Sequence, residues 1–389
     1  MEITHEKACH CALNRIFGFE PRIALALINH YGRASEIFNL SPGELDLILG
    51  PYSKYKGRIS TGVLDDSYKE LEILQKQEIN FIGWNEAGYP ALLKECEDPP
   101  VGLYIRGISS PDELWGNRRT ISIIGTRDLS PYGKEWCERL ICSLAETPEK
   151  DRPVIISGLA LGVDICAHTA ALKNGLPTIG VMATGPDDIY PNRHRGVAET
   201  ICRTHGSALI TDYPPHTAPL AIHFLRRNRI IAGLSEATIL VESKIKGGGM
   251  MTARLADSYN RTVFALPGRV DDTRSQGCNH LIRNRVAIPI ISIPDFLKEL
   301  GMKQTKNSIR TDGTENLDRL YKGSVSKDKI ALMGSILLAI KKERGITMED
   351  LAVQTGISYA QVSQLTGMLE TDGIISRDLL QRCFINFCK

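Results

Sequence analysis

Six short apolar runs punctuate the middle of the chain: Ile121–Ile124, Val154–Ile156, Thr178–Met182, Ala208–Thr211, Thr238–Val241 and Thr262–Leu266. Five of the six are bounded by Gly, Pro or Asp, and Thr238–Val241 lies between Ala237 and Glu242. None alternates apolar with polar, so each reads as a strand buried on both faces, as in a parallel sheet. Helical patterns lie between them. Ser130 predicts an N-cap with Pro131 at the first helical position. Gly175 closes a helix through Ala167–Lys173, and Gly206 closes one through Arg195–His205. Alternating strand and helix predicts an α/β fold, a Rossmann-like, doubly wound and mostly parallel sheet. Residues 1–83 read as a small helical domain, and 303–328 as a polar linker after a sheet domain over 84–302. From 329 onward the pattern fits a winged helix: helices Ile330–Ile340, Met348–Gln354 and Ser358–Glu370, then wing strands Ile374–Ser376 and Cys383–Phe387.

The length of 389 residues agrees with two or three domains at ~150 residues each. With 47 Lys+Arg against 45 Asp+Glu, the chain is no bulk polycation, and anion binding must come from where the cations sit. No apolar run reaches the ~18–20 residues of a membrane helix. The start is polar (His5, Glu6, Lys7, His10), unlike a signal peptide, so a cytoplasmic protein is expected. Ten cysteines lack disulfide or zinc spacing, which predicts reduced thiols and no structural metal.

In a doubly wound sheet, function lies at the carboxyl ends of the strands. Those ends carry Gly125-Thr126-Arg127, then Ser157-Gly158, then Thr184-Gly185, then Glu242-Ser243 followed by Gly247-Gly248-Gly249 and Thr252. Glycines let backbone N–H groups approach a ligand, and helix N-termini favour anions. Arg127 adds a planar fork suited to phosphate. The cluster Arg226-Arg227-Asn228-Arg229, ahead of Ile230-Ile231-Ala232, reads as a helix opened by cations at the same rim. Together these predict a polyanion bound on one face. Asp164 and His168, four apart, read as a hydrogen-bonded anchor of a helix start. The dinucleotide fingerprint G-x-G-x-x-G is missing after the first strand. Gly247–Thr252 lacks the Lys of a phosphate-binding loop, and no Ser stands in a nucleophile elbow, so no cofactor is expected.

The stretches Tyr89-Pro90-Ala91-Leu92-Leu93, Asp98-Pro99-Pro100, Leu103–Gly107 and Ile124-Gly125-Thr126-Arg127 run in order with Ser157-Gly158-Leu159-Ala160, Gly162-Val163-Asp164 and Arg227–Ser235. Thr252-Ala253, Ala265–Gly268 and Gly277-Cys278-Asn279 follow. Together, over about 89–290, they resemble the DprA/Smf DNA-processing proteins. Three places depart from that pattern: Leu225 stands where the family has Pro, Gly247–Met251 replaces a Ser-Gly-Ser loop, and Arg285-Val286-Ala287 replaces a closing Gly-Ala. The resemblance implies a non-enzymatic single-stranded-DNA-binding protein of natural transformation. Such a protein protects incoming strands, helps load the RecA recombinase and dimerises through its Rossmann-like domain. It also implies DNA contacts at Arg127, Lys173, Arg227 and Arg229, and a sterile-alpha-motif-like N-terminal domain.

Read from its own residues, the segment around Phe17-Gly18-Phe19-Glu20-Pro21 looks like a helix-hairpin-helix. The third helix of the winged fold carries no cation over Tyr359–Leu365, which leaves protein contact and duplex binding both open. Two further functions compete. A nucleoside-monophosphate-cleaving or nucleotide-binding enzyme would use the same sheet type. It would show Pro-Gly-Gly-x-Gly-Thr-x-x-Glu at the late loop, where this chain has only Glu242 and Asp257 as nearby carboxylates. A ligand-responsive transcription factor would need a groove-reading third helix. The segment Cys278–Ile291 is the expected dimer surface.

Overall fold

The computed structural model describes residues 3–303 except 51, then 317, 320, 321, 324–343 and 345–385. Most of the expected linker lies outside the described residues, as do the last two residues of the second wing strand. The chain forms two compact units: one runs to Met302, leaving out Glu146–Pro148, and the other holds the residues beyond.

The first unit is built on a nine-stranded sheet. Its strands are β1 (Ile79–Gly83), β2 (Gly102–Arg106), β3 (Thr120–Ile124), β4 (Val154–Ser157), β5 (Thr178–Val181), β6 (Ala208–Thr211), β7 (Ala237–Leu240), β8 (Thr262–Ala265) and β9 (Ile288–Pro289). Their order is β1-β2-β6-β5-β4-β3-β7-β8-β9. The pairings from β6 to β9 are parallel, and β1 and β2 run antiparallel at one edge. All six expected strands are present, displaced by a residue or two at most. Every residue of β3, β4, β5, β6 and β7 is buried, which is why none of them alternates in sequence.

β1, β2 and β9 were not predicted, and the helical reading of 1–83 is corrected at its last five residues, which form β1. Side-chain alternation explains β1 and β2. Ile79, Phe81 and Tyr104 face the core of the N-terminal helices, while Ile82, Leu103 and Ile105 face the central core. Two cores thus share one pair of strands, and each strand alone is too short to show a period. The helices concerned are His5–Phe17, Pro21–Tyr31, Ala34–Phe38, Pro42–Leu49 and Thr61–Lys76. The first two meet at the Gly18–Glu20 turn, and Gly32 (φ +80°) ends the second.

The chain winds outward from β3 through β4, β5 and β6, then returns to lay β7 against the other side of β3 and winds away through β8. Winding therefore reverses between β3 and β7. Connections leaving their carboxyl ends diverge and open a crevice there. Ser130 caps the Pro131–Ala145 helix as expected: its Oγ accepts from Gly133 N at 3.0 Å.

The second unit has helices Lys327–Lys342, Met348–Thr355 and Tyr359–Thr371 and a three-stranded sheet ordered Ile346–Thr347, Arg382–Ile385, Ile375–Arg377. This is the winged helix read from the pattern. Thr347 and Ser358 cap the second and third helices. Met333, Ile336, Leu351, Val362, Leu369 and Cys383 close the core.

Candidate functional site

The crevice between β3 and β7 is a cleft of about 440 Å³. Its first wall is the turn after β3. A Cβ on Gly125 would lie 2.5 Å from Val163 Cγ2 and 2.8 Å from the Glu242 carbonyl oxygen, so only glycine lets β3, β7 and the Val163–Lys173 helix meet there. Thr126 is pinned from both sides: its N–H donates to the Glu242 carbonyl at 2.7 Å, and its carbonyl accepts from Val163 N at 3.1 Å. Gly162, at φ +74°, would set a Cβ 2.2 Å from that same carbonyl. The turn thus holds Arg127 at the mouth, exposed and with its guanidinium 5.6 Å from the centre of the Phe224 ring. Among the described residues no carboxylate pairs with Arg127.

The second wall is the Ser243–Gly247 loop and the start of the Gly248–Ser258 helix. Gly249 packs against the β3 turn, where a Cβ would come 3.2 Å from Gly125 Cα. The helix therefore begins beside Gly125, and its first N–H groups have no partner within the helix. Lys244 and Lys246, both exposed, stand on this wall. Thr252, one turn further, completes it.

The third wall is the Ala221–Gly233 helix. Phe224, Arg227, Asn228 and Ile231 face the cleft at helical spacing. Here a sequence expectation is corrected. The helix begins at Ala221, so the arginines lie in its second and third turns and point in different directions. Arg226 donates to the Gly18 carbonyl at 2.9 Å. Arg227 is buried under the cleft and donates to the carbonyls of Gly158 and Val181. Arg229 is buried on the far side, paired with Asp212 and bonded to the Asp98 carbonyl. A rim of three arginines is not formed, because the helix turns Arg226 ~100° and Arg229 ~200° away from Arg227.

Electrostatics beneath the cleft centre on Arg227. Burial draws its guanidinium down to about 10; Asp164 opposes that shift and Arg127 adds to it. It stays a cation at neutral pH, and its Nε has no hydrogen-bond partner. Burial raises the Asp164 carboxyl, against Arg227 and backbone N–H donors that lower it. Asp164 accepts from Ala160 N at 3.4 Å and so anchors the helix start, as expected. His168 turns instead to Thr178 Oγ1 at 2.7 Å, and burial, with Arg227 and His194, pulls it down to about 3. It is neutral at physiological pH. Glu242, also buried, accepts from both the N–H and the hydroxyl of Ser130.

Gly125, Thr126, Arg127, Arg227, Asn228, Gly248, Gly249 and Thr252 therefore line one cleft. Ser157 and Gly158 lie beneath it. Ser157 Oγ donates to the Ile123 carbonyl at 2.6 Å, and a Cβ on Gly158 would strike Arg227 Nη1 at 2.4 Å. Lys173 ends the Val163–Lys173 helix, whose start touches the cleft, so at ~1.5 Å per residue it stands about 15 Å away. Phe224, Lys244 and Lys246 join the site without having been predicted. Phe224 is three residues before Arg227, and the lysines directly precede the glycine run; those spacings are the signals that could have found them. Among the described residues no three His, Cys, Asp or Glu side chains group to hold a metal, and no helix is long and apolar enough to cross a membrane.

Comparison with known proteins bears on this cleft. The model of the family described as DNA recombination-mediator protein A matches residues 80–301, and that of a winged helix-turn-helix DNA-binding family matches 333–376. The chain is 28% identical to protein Smf of Synechocystis, over 96% of this chain and 97% of that one. It is 38% identical to the DNA processing protein DprA of Bacillus subtilis, over 59% of this chain and 74% of that one. Among solved structures, DNA processing protein A of Streptococcus pneumoniae superposes with a TM-score of 0.60 at 31% identity, covering 77% of this chain and 99% of that one. The Helicobacter pylori protein, described for its single-stranded DNA binding mode, superposes with a TM-score of 0.50 at 33% identity, covering 57% of this chain and 95% of that one. With the cleft falling inside the matched segment, the chain belongs to the DNA recombination-mediator protein A family, the DprA/Smf DNA-processing proteins.

Proposed function

We propose that the protein binds single-stranded DNA across the β3–β7 cleft, protects incoming strands and helps load RecA in natural transformation. The observation that carries the binding step is Arg127: an exposed cation, free of carboxylate partners among the described residues, set against the Phe224 ring beside a helix N-terminus. Lys244 and Lys246 extend the positive wall. Cations along a groove with an aromatic ring beneath them suit unpaired nucleotides, whose phosphates and base faces are both accessible. The Helicobacter pylori relative supports this reading. The site reads as one of binding rather than turnover, because both Glu242 oxygens are engaged by Ser130.

Strand affinity is expected to fall steeply with salt, by a log–log slope of about −0.7 per neutralised phosphate. Titrating the protein with labelled oligothymidylate across a salt series checks this, and a flat response would remove the electrostatic cleft from the account.

The proposed assembly is a homodimer through the sheet unit. In the Cys278–Ile291 segment, Cys278, Leu281 and Ile290 are core, while Ile288, in the edge strand β9, and Ile291, just after it, are exposed. An edge strand with exposed branched side chains is suited to self-pairing. The full chain is expected to sediment as a dimer at micromolar concentration, and an Ile288→Asp/Ile291→Asp variant as a monomer. A monomeric wild type would contradict the dimer; a dimeric variant would move its interface. For the winged helix, the third helix exposes Tyr359, Gln361 and Gln364 but carries no cation over Tyr359–Leu365 to hold phosphate, which favours a protein partner over duplex DNA.

A further inference from the structure

The turn between the first two helices presents Phe19 half-exposed, at 50%. The surface around it is built rather than incidental. The Arg226 guanidinium lies 4.5 Å from the centre of the Phe19 ring and donates to the carbonyl of the preceding Gly18 at 2.9 Å. His223 and Tyr213 flank the same ring at 5.8 and 6.4 Å between centroids. The one acid of the turn, Glu20, is occupied by Lys54 at 3.0 Å and by the Tyr55 hydroxyl at 2.6 Å.

His223 and Arg226 belong to the Ala221–Gly233 helix that forms the third wall of the cleft. They precede Phe224 and Arg227 by one position each, so they face ~100° around the helix from them; Phe224 and Arg226, the helix members of the two cation–aromatic pairs, lie ~200° apart, on nearly opposite sides of the helix start. Exposed Leu220, Ile222 and Leu225 cover the helix start next to them.

We propose that Phe19 and Arg226 form a second station for single-stranded DNA. A strand leaving the Arg127–Phe224 cleft crosses the start of this helix and stacks an unpaired base on Phe19, with Arg226 near its phosphate. This deepens the strand-binding reading and rests on it. Continuity with the cleft and repetition of the same cation–aromatic pairing favour a nucleic-acid strand over an apolar peptide as occupant.

The test uses the full chain and fluorescent oligothymidylates of about 5 and about 20 nucleotides, against site sizes of ~4–16 per binding fold. Phe19→Ala and Phe19→Leu are expected to weaken the long oligonucleotide about tenfold and the short one little. Phe19→Tyr is expected to bind both like wild type. The leucine variant keeps the apolar packing, so it decides the matter even where alanine loosens the turn. Wild-type affinity of Phe19→Leu for the long strand would overturn the second station, leaving the surface to a protein partner. Arg127→Ala separates the two claims: weakening of both lengths with Phe19 indifferent sinks the second station alone, whereas no weakening of either length sinks the strand-binding reading itself.

Discussion

Arg127→Ala is expected to weaken single-strand binding by about ten- to a hundredfold while leaving the unfolding midpoint unchanged. A charge-assisted hydrogen bond to phosphate contributes roughly 1.5–3 kcal/mol, and each 1.4 kcal/mol is about a factor of ten. The side chain is exposed, and its turn is held by backbone hydrogen bonds of Thr126 and by the glycines at 125 and 162, none of which needs the guanidinium. Among the described residues, the ring contact that the substitution removes is the one with Phe224. Fluorescence anisotropy with denaturant unfolding on the same sample checks both halves. A folded variant with wild-type affinity would mean that the strand lies elsewhere.

Arg229→Ala is expected to act in the opposite way, costing about 3–5 kcal/mol of stability because it leaves a buried carboxylate without its cation. Arg229 and Asp212 are each about one-twentieth exposed, and the same guanidinium holds the Asp98 carbonyl. Its role is to tie the Ala221–Gly233 helix to the loop after β6 and to the 98–100 segment, behind the cleft. Urea unfolding should show a lower midpoint for Arg229→Ala, and an Arg229→Met/Asp212→Asn pair should recover much of the loss. A stable Arg229→Ala variant with weakened DNA binding would return this residue to the strand contacts that the family resemblance implies.

These two arginines show where the pattern of residues was legible and where it was not. Five fully buried strands were readable because burial on both faces removes polar alternation. β1 and β2 were hidden because their two faces serve different cores, and β9 because two residues carry no period. The cleft was readable as glycines and Arg127 at strand ends, since close backbone approach demands glycine whatever the neighbours. The arginine cluster was not. Position along the chain cannot say which way successive helical residues point until the helix start is known, and Leu220 gives no side-chain cap to mark it. Lys173 illustrates the same limit: it belongs to a helix that begins at the cleft and ends far from it.

The most direct test of the central claim is competition between single-stranded and duplex DNA of one sequence for the full chain, at one fixed salt concentration. The cleft sets its cations beside the Phe224 ring in its wall, and duplex bases are not free to reach that ring. The single strand is expected to displace bound single strand at concentrations where duplex does not, and Arg127→Ala to remove the difference. Equal competition by duplex, unaffected by Arg127→Ala, would contradict it.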